Sequence, residues 1–133
     1  MTFSFIIVTY NSSEVILPCL ESIVHTDGIA PPIEVIVVDN NSADNTAEAI
    51  SKKYPEVHLI RNNTNTGFAA AVNQGSAQAT GKFLVMLNPD TVVHEGFLQG
   101  VEEFFERHPG AAIVGSDNVD ESEIGRASCR ERV

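Results

Sequence analysis

FSFIIV, residues 3 to 8, is a nearly unbroken apolar run rich in β-branched and aromatic side chains. A strand with one face in water alternates polar and apolar residues, whereas a continuous run of this length is the pattern of a strand covered on both faces, as in a parallel sheet. EVIVV, residues 34 to 38, repeats it, and Val57 to Ile60, Phe83 to Leu87 (FLVML) and Ala111 to Val114 (AAIV) continue it. Five strands are therefore expected.

Between these runs the apolar spacing turns helical. Leu20, Ile23 and Val24 follow Pro18, which suits a first helical turn; Ala47, Ala49 and Ile50 follow Ser42, a plausible cap; Phe97, Leu98, Val101 and Phe105 form a stripe that stops at His108-Pro109-Gly110. Alternation of strand and helix implies right-handed crossovers and an α/β fold with a mostly parallel sheet flanked by helices. No internal repeat or low-complexity linker interrupts it.

Composition narrows the partners. A chain of 133 residues, 43% hydrophobic, supports one domain with a real core. Eight Lys and Arg stand against 18 Asp and Glu, for a net charge of −10, which argues against nucleic acid, whose phosphates need clustered cations. Cys19 and Cys129 are too few and too isolated for a zinc site or a disulfide framework. The first apolar run lacks a basic leader, and no stretch approaches the length of a transmembrane segment. A soluble, cytoplasmic chain is the expectation.

In a sheet of this kind ligands bind outside the carboxyl ends of the strands. After the first run comes Thr9-Tyr10-Asn11-Ser12-Ser13, after the second Asp39-Asn40-Asn41-Ser42-Ala43-Asp44, and after the fourth Asn88-Pro89-Asp90-Thr91. Each alone is an ordinary turn or cap; together they deliver hydroxyls, amides and carboxylates to one edge. The segment from Asn62 to Gly75 adds a different signal. It opens with amides, turns at Gly67 and continues through Ala69, Ala70 and Ala71 to Asn73. Small residues let a helix come close to a neighbour or a ligand, and its first N–H groups favour a negative charge. There is no GxxxxGK[ST], and no GxGxxG follows the first strand, so P-loop and dinucleotide readings lose their support.

Val8-Thr9-Tyr10-Asn11, Val38 to Asp44 (VDNNSAD), Asn65-Thr66-Gly67-Phe68-Ala69 with Asn73, and Leu87-Asn88-Pro89-Asp90-Thr91 resemble, in order and spacing, the motifs of the family 2 glycosyltransferases with the GT-A, Rossmann-like fold, nearest to the rhamnosyltransferase-like branch. The resemblance spans roughly residues 3 to 115. It implies an inverting enzyme that moves a sugar from a nucleoside-diphosphate sugar, dTDP- or UDP-linked, to the hydroxyl of a saccharide or lipid-linked acceptor in polysaccharide biosynthesis. A lipid-linked acceptor would set the work at the inner membrane surface. Thr9, Tyr10, Asn11, Asp39, Asn41, Asn65, Gly67, Asn73, Asn88 and Asp90 are the implied donor-binding residues, with Asp39 on the base or ribose and Asp90 on a divalent metal. Mg²⁺ or Mn²⁺ suits a diphosphate leaving group and oxygen ligands. The family's DxD-type motif is written here Asn88-Pro89-Asp90, and Asn88 offers a carbonyl oxygen but no charge.

The general base of such an enzyme is expected beyond the metal motif, so residues 1–122 are expected to be the donor-binding half of a truncated domain. Glu123 to Val133, EIGRASCRERV, resembles translated sequencing adaptor and is expected to be a non-native tail. Setting it aside removes three arginines and two glutamates and moves the net charge from −10 to −11. Two rivals remain: a nucleotidyltransferase-like enzyme, which would favour a basic, glycine-rich first loop, and a non-catalytic nucleotide-sugar-binding module.

Overall fold

The computed structural model describes residues 2–25, 32–116 and 129–130. Two compact units divide the chain, the first ending at Val92 and the second beginning at Val93. Most of the expected tail lies outside the described residues.

The first unit runs β1 (Phe3–Thr9), α1 (Ile16–Val24), β2 (Ile33–Asp39), α2 (Thr46–Lys53), β3 (His58–Arg61), α3 (Phe68–Gln78) and β4 (Phe83–Leu87). Its four strands are all parallel, in the order β3-β2-β1-β4. β1 and β2 are central, and Phe3, Phe5, Ile6, Ile7, Val37 and Val38 are wholly buried or nearly so, as continuous apolar runs in a doubly covered sheet should be. The edge strands differ. β3 exposes His58 and Arg61 at its ends, and on β4 Leu84 and Met86 are exposed.

Right-handed crossovers explain the layers. The chain moves one way from β1 to β2 to β3 and returns past them to β4, which sends α1 and α2 to one face and α3 to the other. α3 packs on β1 and β2. Gly75 lies against that sheet, where an added Cβ would meet Ile6 and Val38. Leu84 and Met86 pair in register with Ser4 and Ile6 and so share the face that α3 covers farther along the sheet.

Two expectations are corrected. Ala111 to Val114 forms no strand: the short β5 is Gly115–Ser116, and it pairs antiparallel with β6 (Cys129–Arg130) in the second unit. An apolar run becomes a strand only where another strand takes up its backbone groups, and this run has no such ladder; Ile113 is 79% exposed. Ser42 does not cap α2, because it lies four residues before the helix and binds Asp39 instead. Asp44 serves the start of α2, accepting from both the Thr46 N–H (3.1 Å) and the Thr46 hydroxyl. The second unit also holds α4 (Phe97–Arg107), which buries Leu98 and Val101 and ends at His108 as its sequence expects.

Candidate functional site

The sheet order reverses between β1 and β4, and the crevice at such a switch point is where open α/β sheets take ligands. An open cleft of about 310 Å³ lies there, lined by Val8, Tyr10, Ser12, Asn40, Asn65, Phe68, Asn88 and Pro89. Four structural segments supply it: the ends of β1, β2 and β4, and the loop that starts α3.

The first two loops are stapled together. The Asn11 N–H donates to Ser42 Oγ (2.9 Å), and Asn11 Oδ1 accepts from the Ala43 N–H (2.7 Å). Ser12 N–H reaches Thr46 Oγ1 (3.1 Å), and Ser13 N–H reaches Asp44 Oδ2 (3.3 Å). The hydroxyl and backbone bonds from Thr46, with those from Ser13, hold the Asp44 carboxyl below the usual carboxylate range. Asn11 and Asn41 take left-handed backbone angles, φ 47° and 68°, which asparagine tolerates better than most residues. Beside this brace Tyr10 stands 52% exposed at the cleft wall.

The third wall is set by Asn40, which is 2% exposed. Its Oδ1 accepts from the Thr66 N–H and hydroxyl and from Asn62 Nδ2, each at 3.1 Å, while its Nδ2 donates to the Gly67 carbonyl (3.1 Å). Asn65 Oδ1 accepts the Gly67 N–H at 2.9 Å. Gly67 has φ 84° and ψ 166°, a region that side chains bar to other residues. The chain can therefore turn into α3 with Phe68, 61% exposed, on the cleft.

At the end of β4 the Asn88 carbonyl accepts from the Thr91 N–H (3.2 Å) and hydroxyl (2.7 Å), closing the Asn88-Pro89-Asp90 turn. Cys19 lies beneath it, with Sγ 3.8 Å from the same carbonyl. Burial pushes the Cys19 thiol above its ordinary range, and the charge of Asp90 adds to that.

Of the residues expected to bind donor, Tyr10, Asn65 and Asn88 line the cleft. Asn11 and Gly67 shape its loops. Thr9 is fully buried at the end of β1, with Oγ1 unpartnered. Asp39 is 2% exposed, and both its oxygens are engaged by Ser42, from the hydroxyl at 2.5 Å and the N–H at 3.1 Å. Asn41, Asn73 and Asp90 are exposed outside the lining. Asn40, Ser12 and Phe68 line the cleft without having been singled out; each directly follows a residue or motif that was. Among the described residues no three His, Cys, Asp or Glu side chains cluster as metal ligands.

Residues 4–129 match the family described as Glycosyl transferase family 2. The chain is 31% identical over 119 residues to the poly-beta-1,6-N-acetyl-D-glucosamine synthase of Staphylococcus epidermidis, covering 87% of this chain and 28% of that protein. S. aureus TarS (residues 1–349, in complex with UDP) superposes with a TM-score of 0.73 at 29% identity, over 82% of this chain and 33% of that one. A mannosyltransferase of Pyrobaculum calidifontis, in complex with GDP-Man and Mn²⁺, superposes with a TM-score of 0.71 at 26% identity, over 86% and 34%. The chain thus spans about a third of the length of these relatives. The parallel sheet, the four motifs and these likenesses agree: the chain belongs to glycosyl transferase family 2 and has the GT-A fold.

Proposed function

We propose that this chain is the donor-binding half of an inverting glycosyltransferase, taking a sugar from a pyrimidine nucleoside-diphosphate sugar to an acceptor hydroxyl. The observation that carries the reading is the cleft at the β1/β4 switch point, where two exposed aromatic residues, Tyr10 and Phe68, stand with the exposed neutral amides Asn65 and Asn88. Aromatic faces suit a base, and amides suit its polar edge and the ribose hydroxyls. S. aureus TarS, a structural relative, is known in complex with UDP, which favours uridine diphosphate over thymidine diphosphate here, and with it a UDP-linked over a dTDP-rhamnose donor.

A divalent ion fits the donor set in one way. Asp90 is an exposed carboxylate two residues after Asn88 and, among the described residues, belongs to no cluster of three or more His, Cys, Asp or Glu; Mg²⁺ and Mn²⁺ commonly sit on one or two carboxylates together with substrate phosphates. Asp90 and Asn88 would hold such an ion on the donor, and it would supply charge neutralisation at the departing diphosphate. Pro89, fixed in φ, restricts the backbone between the two residues. No carboxylate lines the cleft among the described residues, so none of these side chains is assigned as the base that deprotonates the acceptor. A lipid-linked acceptor would bring the enzyme to the inner membrane surface; among the described residues no helix is long and apolar enough to cross a membrane.

Calorimetric titration tests the reading. UDP should bind the native chain more tightly with Mn²⁺ than without, and Asp90→Ala should remove the metal-dependent part while leaving the metal-free part. Binding of neither UDP nor dTDP to a folded chain would sink it.

A further inference from the structure

Behind the cleft, on the side where β3 passes to α3, lies a group of amides that the donor-binding reading does not use. Asn62, just after β3, and Gln74, on α3, form a reciprocal pair: Asn62 Nδ2 donates to Gln74 Oε1 and Gln74 Nε2 donates to Asn62 Oδ1, both at 2.9 Å. The second hydrogen of Asn62 Nδ2 goes to Asn40 Oδ1 at 3.1 Å. Both residues are half-buried, and neither lines the cleft.

The chain of contacts continues to the wall of the site. Asn40 receives Thr66 on Oδ1 and holds the Gly67 carbonyl with Nδ2. Gly67 is kept in a glycine-only conformation between that bond and the one from its N–H to Asn65. The amides of this network are neutral and mutually oriented: reversing either terminal amide of the Asn62 and Gln74 pair would set donor against donor. A connected polar network of this kind fixes geometry more firmly than its separate bonds suggest.

We infer that Asn62 and Gln74 are positioning residues for the nucleotide site. Their amide pair orients the Asn40 side chain, which sets the Thr66-Gly67 turn and so the placement of Asn65 and Phe68 on the cleft. A structural role alone would show in stability and not in affinity. The inference rests on the nucleotide-binding reading of the cleft, and the test separates the two.

The experiment is UDP titration of the native chain, Gln74→Met and Gln78→Met, each confirmed as folded by circular dichroism at the titration temperature. Methionine keeps the length and the helix preference of glutamine and removes both amide bonds. Gln78 is exposed one turn farther along the same helix and serves as the control. Gln74→Met should bind UDP about fivefold or more weakly than the native chain, because part of the binding energy must then order the Thr66-Gly67 turn, and Gln78→Met should match the native chain. Should Gln74→Met not fold, Gln74→Glu, which keeps the acceptor for Asn62, is expected to weaken binding in the same sense. Native affinity in the folded Gln74 variant overturns the inference and leaves the donor-site reading intact. Absence of UDP binding by the native chain overturns that reading; hydrogen exchange at the Thr66 amide then decides the positioning claim. Faster exchange in Gln74→Met supports it, and an unchanged rate overturns it.

Discussion

A methyl group added to Gly75 on α3 would sit 2.8 Å from Ile6 Cγ2 on β1. Val38 Cγ2 would lie 3.2 Å away on the other side. Both neighbours are β-branched side chains of central strands, with little freedom to turn aside. Gly75→Ala should therefore lower stability despite alanine's better helix propensity: overpacking costs about 1–3 kcal/mol, against a propensity gain of about 1 kcal/mol. Gly100→Ala is the comparison, since it too is helical but nothing lies within 4 Å of its added Cβ. It should stabilise by about 0.5–1 kcal/mol. Denaturant midpoints of the two variants should move in opposite directions; movement in the same direction would refute the packing account.

Glu34 fastens the opposite end of the sheet from the cleft. The Ser4 hydroxyl donates to Glu34 Oε2 at 2.6 Å, the Thr80 N–H donates to the same oxygen at 2.9 Å, and the Gly81 N–H donates to Ser4 Oγ at 2.8 Å. The Ser4 bond first, then the Thr80 backbone bond, hold its carboxyl below the ordinary value of 4.5. A carboxyl depressed in the folded state adds stability that is fully present above its unfolded value and is lost as pH falls through its folded value. Stability should thus fall more steeply below about pH 4.5 in the native chain than in Glu34→Gln. Urea titrations at a series of pH values from 3 to 6 would check the difference in slope; parallel curves would exclude Glu34 as a contributor.

Cys19 should be chemically quiet. It is fully buried, with its thiol pushed upward by burial, and the thiolate is the reactive form. A disulfide reagent added to the folded chain near neutral pH should modify Cys19 far more slowly than in denaturant, with peptide mapping to separate it from Cys129. Equal rates would mean that the packing of α1 beneath the Asn88 turn is looser than described.

The central strands were legible in the sequence because burial on both faces writes itself as a nearly unbroken apolar run, as in Phe3 to Val8 and Glu34 to Val38. Ala111 to Val114 carries the same local signal and forms no ladder, since pairing depends on a partner strand that no local pattern specifies. The site divides in a similar way. Tyr10, Asn65 and Asn88 follow strand ends or a glycine turn and could be marked from order alone. The work of Asn62 is to hold Asn40 and Gln74 across 22 and 12 residues of chain, and nothing in the identity of a single asparagine announces a partner at that distance. Ser42 shows the converse. A serine ahead of a helical stripe reads as a cap, but here the Asp39 carboxylate and the Asn11 backbone claim its hydroxyl.

Tyr10 offers the most direct test, because it is exposed on the cleft while its carbonyl accepts from the Ser12 hydroxyl at 3.0 Å and its neighbour Asn11 is braced to Ser42. The measurement is calorimetric titration of UDP, with Mn²⁺ present, into the native chain and Tyr10→Ala. If the cleft at the β1/β4 switch point is the nucleotide site, the native chain binds one UDP and Tyr10→Ala, still folded, loses about 1–3 kcal/mol, the usual worth of one base stacked on an aromatic ring. Saturable binding that Tyr10→Ala leaves unchanged would put the nucleotide elsewhere and contradict the account.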